Sequence, residues 1–144
     1  MFTQRPEIKE LNRLYRAVDE VYHEVAVKLG LSDSAFSVLY ALAELGDGCT
    51  QKEIAALFSM SKQTIHSSVK GLAGKGCLTL APGPGRDRRI LLTPAGRRLL
   101  EEKIAPVIAL ENRAVEGLSP QERQTLLALT RKYAESHIRT LNTL

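Results

Sequence analysis

The stretch Thr50–Leu92 constrains this 144-residue chain more than any other. It opens with Thr50-Gln51-Lys52-Glu53, a capping box. In this pattern the Thr50 hydroxyl takes the Glu53 amide and the Glu53 carboxylate reaches back to the Thr50 amide. A short helix follows, with Ile54, Leu57 and Phe58 as its apolar edge. Ser59-Met60-Ser61 makes a tight connection, and Ser61 caps a second helix. In that second helix Ile65, Val69 and Leu72 fall at i, i+4 and i+7 and share one stripe at about 100° per residue. Gln63, Ser67 and Lys70 point nearly opposite, with Thr64 and His66 on the flanks. Cys77–Ala81 and Arg88–Leu92 then read as two short strands around Pro82-Gly83-Pro84-Gly85-Arg86-Asp87, a loop by its Pro and Gly content. Helix, turn, helix and a basic-tipped hairpin make a winged helix-turn-helix.

The outer face of the second helix carries no carboxylate. A solvated helix face ordinarily mixes both signs of charge. Amide, hydroxyl, imidazole and ammonium groups instead suit base edges and their neighbouring phosphates. Charge distribution agrees. Thr50–Arg98 holds nine Lys and Arg against two acids, whereas the rest holds eleven basic and fourteen acidic residues. Basic surfaces are common and prove little alone; joined to the winged pattern, this one points to a polyanion.

SKQTIHSSVKGLAGKGCLTL followed by GRDRRILLTPAG resembles the recognition helix, wing and post-wing helix of MarR-type transcriptional regulators, and the resemblance extends over nearly the whole chain. It implies a twofold dimer on DNA and a wing arginine in the minor groove. Many members carry Asp-x-Arg in the wing, with the Arg seven positions before the Thr of Leu-Thr-x-x-Gly. Counting back from Thr93 reaches Arg86, but Pro84 stands where the Asp belongs, and Asp87-Arg88-Arg89 repeats the composition three residues late. The minor-groove role is therefore assigned to Arg86, with Arg88 and Arg89 as competitors. The resemblance also implies a small aromatic or anionic effector bound between the dimer helices and the DNA-binding lobe. Tyr15, Arg16, Tyr22 and His23 are candidates to line that cleft, although the tyrosines serve equally well as dimer-core residues.

The flanks read as helices. Ile8, Leu11, Tyr15, Val18, Tyr22, Val25 and Leu29 repeat at three and four residues, giving a helix from about Pro6 to Lys28 that Gly30 ends. Ser32 caps the next, with Phe36, Leu39, Leu42 and Leu45 as its stripe, closed by Gly46-Asp47-Gly48. After the wing, Thr93 caps a helix with Pro94 in its first turn. Leu99, Leu100, Ile104, Val107 and Ile108 carry its face, and Pro106 should kink or interrupt it. Ser119-Pro120-Gln121-Glu122 is a second capping box and opens a last helix through Leu126, Leu129, Tyr133 and Ile138.

The expected architecture is thus mainly α with a small β-hairpin: a single domain with a winged helix-turn-helix lobe at 31–92 and helical dimerisation segments at 1–30 and 93–144. Apolar stripes on the outer helices need partners, and the same helices of a second chain supply them, giving a homodimer. The expected function is a sequence-specific DNA-binding regulator on an inverted repeat, a repressor released by its effector. Expected DNA contacts are Ser61, Lys62, Gln63, Thr64, His66, Ser67, Ser68, Lys70, Arg86, Arg88 and Arg89, with Lys75 as a further phosphate candidate. A winged helix used only as a protein–protein adaptor is the competing expectation, but it has no need of a carboxylate-free face.

Other chemistry finds little support. There is no phosphate-binding Gly loop, nucleophile elbow or paired His–carboxylate motif, so no enzyme and no cofactor are expected. His23, His66 and His137 are scattered and suggest no metal site. Cys49 and Cys77 read as structural thiols. No run of about 20 apolar residues could span a membrane, and the first residues lack an apolar signal core, which places the expected protein in the cytoplasm.

Overall fold

A computed structural model describes residues 2–144. The elements run α1 (Pro6–Lys28), α2 (Asp33–Leu45), α3 (Gln51–Phe58), α4 (Lys62–Gly74), β1 (Leu78–Pro82), β2 (Arg88–Leu92), α5 (Pro94–Leu99), a π-helical turn (Leu100–Ile104), α6 (Ala105–Glu116) and α7 (Pro120–Leu141). They form two compact units, one ending at Ala105 and the other Pro106–Leu144.

Local chemistry sets the helix starts. Ser32, Thr50, Ser61, Thr93 and Ser119 each accept the amide three residues on, and the Thr50–Glu53 and Ser119–Glu122 boxes are both closed. Each satisfies an amide that the helix leaves free, worth about 1 kcal/mol. Gly30, at φ +71°, ends α1 as expected.

In the first unit α2 is the central helix. It packs against α1, α3, α4 and the π-helical turn. Val38, Leu39, Leu42, Ile54, Ile65, Val69, Ile90 and Ile104 are buried, so both helices of the helix-turn-helix, the wing base and the π turn share one core. An aromatic series crosses it: Tyr22 to Phe36 at 6.3 Å, Phe36 to Tyr40 at 6.0 Å, and Tyr40 to Phe58 at 6.1 Å. It links α1 through α2 to α3, and such ring pairs add to plain area burial.

β1 and β2 pair antiparallel, with Leu78 opposite Leu92 and Pro82 opposite Arg88. The strand expected at Cys77–Ala81 is shifted by one residue. Cys77 instead belongs to the close of α4, its amide donating to the Leu72 carbonyl at 3.0 Å. A third segment joins the sheet edge: Gly48 donates to the Ile90 carbonyl, Ile90 donates to the Cys49 carbonyl, and Thr50 bridges Arg89. Thr50 thus serves both as the cap of α3 and as a bridge to the wing, a second role that the capping-box pattern does not announce.

Gly96 is required by close approach. A Cβ there would lie 2.0 Å from the Cys77 carbonyl oxygen. Thr93 ties down the same junction, its hydroxyl donating to the Gly76 carbonyl at 2.6 Å.

Two further expectations need correction. Leu57 does not join the apolar edge of α3; it is 38 % exposed, while Ile54 is buried and Ala55 and Phe58 are half-buried. The eight-residue α3 turns only one narrow stripe inward. The interruption foreseen at Pro106 lies just upstream, as the π-helical turn at Leu100–Ile104, where the Ala105 amide donates to the Leu100 carbonyl. Pro106 has no amide and its ring crowds the carbonyl four residues back, so a wider turn ahead of it accommodates both.

In the second unit α6 and α7 meet at Gly117–Ser119, where Arg123 donates to the Leu118 carbonyl at 2.9 Å. No residue of α7 is buried. No single helix among the described residues is long and apolar enough to cross a membrane.

Candidate nucleic-acid interface

Burying Ile65, Val69 and Leu72 fixes the rotation of α4 and leaves Lys62, Gln63, Thr64, His66, Ser67 and Lys70 exposed. No acid lies in its first turn. Ser61 works as the cap, accepting the Thr64 amide at 3.1 Å, and its hydroxyl lies 2.7 Å from that of Thr64. The remaining free amides of the first turn add a positive end to the helix.

Two grooves flank α4. The first, of about 540 Å³, runs between α4 and the start of α2 and is lined by Ser34, Gln63, Thr64, Ser67, Ser68 and Lys75, among others. Ser68 is half-buried there and donates to the Ser34 hydroxyl at 2.6 Å, so its hydroxyl already joins α4 to α2. The second groove, of about 420 Å³, is lined by Gln51, His66, Leu80, Arg86, Asp87 and Arg88. It places His66 beside the wing, with its Nδ1 at 3.5 Å from the Gln51 amide nitrogen, too long for a strong bond. The fold thus gathers Gln63, Thr64, Ser67 and Ser68 at the first groove and His66, Arg86 and Arg88 at the second. The Ser34 and Gln51 contributions were missed; both lie outside α4, and nothing in the local sequence marks them.

The three wing arginines are not equivalent. Arg86 and Arg88 are exposed and line the second groove. Arg89 donates to the Gly48 carbonyl at 3.1 Å. It also helps to hold Glu53 below the usual carboxylate range, an effect due first to the Thr50 amide and then to the Thr50 hydroxyl.

The candidates for an effector cleft all lie on α1 but face different neighbours. Tyr22 is half-buried against Phe36. His23 Nδ1 lies 2.9 Å from both Asp33 carboxylate oxygens. Arg16 donates to the Asn12 carbonyl, and Tyr15 is exposed. None of the four lines either groove beside α4.

Cys49 is buried, and its thiol is pushed up to about 11, first by burial and then by the Glu53 carboxylate. It stays protonated and unreactive near neutral pH. Cys77 is half-buried. Among the described residues no three His, Cys, Asp or Glu side chains come together as a metal site.

Comparison with known proteins gives a consistent set of similarities. A sequence profile of the MarR family matches residues 29–90. The chain is 32% identical over 116 residues to the HTH-type transcriptional regulator YwaE of Bacillus subtilis, covering 78% of this chain and 67% of that protein. It is 27% identical over 128 residues to the HTH-type transcriptional repressor NicR of Pseudomonas putida, covering 88% and 80%. Among solved structures, a MarR family regulator from Neisseria meningitidis superposes with a TM-score of 0.81 at 24% identity, over 96% of this chain and 98% of that one.

Proposed function

The chain belongs to the MarR family of HTH transcriptional regulators, and from that premise we propose that it binds inverted-repeat operator DNA as a homodimer and regulates transcription as a repressor. The observation that carries this reading is the capped, carboxylate-free exposed face of α4 with two arginines of the wing beside it. Repression in particular rests on the likeness to NicR, a named repressor. Action on DNA without catalysis, in the cytoplasm, belongs to the same reading.

Affinity comes mainly from phosphates. Lys62, Lys70, Lys75, Arg86 and Arg88 supply charge, and the Ser61 and Thr64 hydroxyls and the first-turn amides of α4 assist. Three or four neutralised phosphates per half-site give a log K against log salt slope of roughly −5 to −7 per dimer. Sequence is read in the major groove by Gln63 and Ser67, with His66 on the wing side; Gln suits adenine. Arg86, with Arg88 beside it, enters the minor groove, where width is read more than sequence. Ser68 contributes by fixing α4 to α2 as much as by touching DNA.

The dimer is supported by exposed apolar side chains outside the helix-turn-helix: Leu14, Tyr15, Val18 and Val21 on α1, Leu110 on α6, and Leu126, Leu129 and Ile138 on α7. Segments 1–30 and 93–144 act as the dimerisation region around the 31–92 lobe. Two recognition helices about 34 Å apart then meet successive major grooves. Release by a small aromatic or anionic effector follows from the family resemblance. Tyr15, Arg16, Tyr22 and His23 remain its candidate contacts, and Tyr22 and His23 both touch α2, the helix that carries α4.

A duplex selected by the wild-type protein from a randomised pool tests this. Gln63→Ala should relax preference at one base position per half-site, a loss of about 1–3 kcal/mol of discrimination. Arg86→Ala should weaken binding broadly and lower the salt slope by about 1 per half-site. Uniform, weak retention erased by salt would instead favour an adaptor that assembles with protein.

A further inference from the structure

Asp47, in the α2–α3 loop, touches neither groove beside α4, yet its carboxylate is fully engaged. Oδ1 accepts the Leu92 amide at 2.8 Å and Oδ2 accepts the Arg97 guanidinium, linking the loop to the end of β2 and to α5. The Asp47 side chain is only 27% accessible. One residue on, Gly48 donates to the Ile90 carbonyl at 2.9 Å, and Ile90 donates to the Cys49 carbonyl at 2.8 Å. Ile90 and Leu92 are two apart, so their amides leave β2 on the same edge. Asp47 thus continues with a side chain the ladder that Gly48 and Cys49 make with backbone. Arg89 closes it from the wing side by donating to the Gly48 carbonyl. An isolated two-stranded hairpin is marginal in water. This one is held at its edge by the loop that leads into α3.

Taking the regulator reading as given, we propose that Asp47 and Arg89 are positioning residues that brace the wing against the helix-turn-helix, leaving Arg86 and Arg88 as the pair that reaches DNA. Arg89, also exposed, commits one guanidinium nitrogen to its own chain, whereas Arg86 and Arg88 line the groove shared with His66. Asp47 acts at the wing base, where a small angular change moves the tip furthest. A pre-set wing loses less freedom on binding.

The test uses the full-length protein with two probes: the duplex selected by the wild type, and the same duplex shortened to remove the base pairs under the wing. Asp47→Asn keeps an oxygen acceptor for the Leu92 amide but loses the charge facing Arg97, and it is mild enough to fold. It should weaken binding to the long duplex roughly fivefold to tenfold and leave the short one within about twofold. In an Arg86→Ala background the further loss should shrink to within about twofold, because the wing contact is already gone. Arg89→Ala should leave the salt slope unchanged, whereas Arg86→Ala lowers it. Equal weakening on both duplexes, multiplying effects of Asp47→Asn and Arg86→Ala, or a lowered slope for Arg89→Ala overturns the proposal. Amide exchange gives a readout without DNA: Leu92 should exchange faster in Asp47→Ala, which removes its acceptor, and unchanged exchange also overturns it. A wild type that selects no duplex defeats the regulator reading, and the exchange experiment still decides the brace.

Discussion

Ile54, Ile65 and Ile90 in the winged lobe expose none of their surface, whereas Ile138 on α7 exposes 60%. The two regions are built with the same tools. Each has a closed capping box, Thr50–Glu53 in the lobe and Ser119–Glu122 at α7, and each has apolar residues at helical spacing. In the lobe those residues meet one another across α2, α3, α4 and the wing base. On α7, Leu126, Leu127, Leu129, Ile138 and Leu141 spread over about half of the helical wheel, and all are exposed. Patterning tells a helix which side to bury but does not supply the surface to bury it against. The lobe carries its own; for α7 the proposed dimer supplies it from a second copy of the chain.

The sharpest attempt to break the lobe is Gly96→Ala. Its Cβ meets a backbone carbonyl that cannot step aside, so the lobe should lose about 3 kcal/mol or more, read as a lowered midpoint in urea by circular dichroism. Next comes Leu126→Glu with Leu129→Glu. If α7 lies in a twofold interface, each charge counts twice, and dimer dissociation should strengthen by at least roughly tenfold in sedimentation, with the lobe's helical signal kept. A dimer unmoved by that pair would remove α7 from the interface. The two capping boxes give a smaller, paired comparison. Thr50 is buried and Ser119 exposed. Thr50→Ala should cost about 1–2 kcal/mol and Ser119→Ala about 0.5–1, both by thermal melting. Equal losses would mean that burial adds nothing to a cap.

The smallest effect is one of pH. Glu53 is held below its ordinary value by the Thr50 amide, then by the Thr50 hydroxyl. A depressed carboxyl contributes stability above its unfolded pKa, near 4.5, and loses it as pH falls through the lower folded value. Glu53→Gln should flatten that acid limb of the lobe's stability curve, and an unaltered limb would place the acid sensitivity elsewhere.

Much of the helical frame was legible because caps are local. Five Ser or Thr caps, Pro94 and Pro120 in first turns, and the stripe of α4 depend on residues three or four apart. Contacts distant in sequence were not. Nothing around Asp47 signals Leu92, 45 residues later, and nothing in Leu-Thr-x-x-Gly says that its glycine must pass beneath the Cys77 carbonyl. Ser68 shows the same limit within the site itself. On the wheel it borders the apolar stripe with no partner nearby in sequence, and in the fold its hydroxyl turns to Ser34, 34 positions earlier. Arg86, Arg88 and Arg89 stayed competitors for a related reason: spacing orders them along a strand, while only the sheet edge separates the one facing Gly48 from the two beside His66.

By itself, then, the sequence determined where helices start and stop and which stripe of α4 turns inward, because capping and amphipathic periodicity are satisfied within a turn or two of chain. The tertiary structure alone decided which polar groups stay available to a ligand. Serines and arginines of one type were divided between groove-lining and self-bonded positions by hydrogen bonds that close only after remote segments have packed, and no local rule encodes those partners.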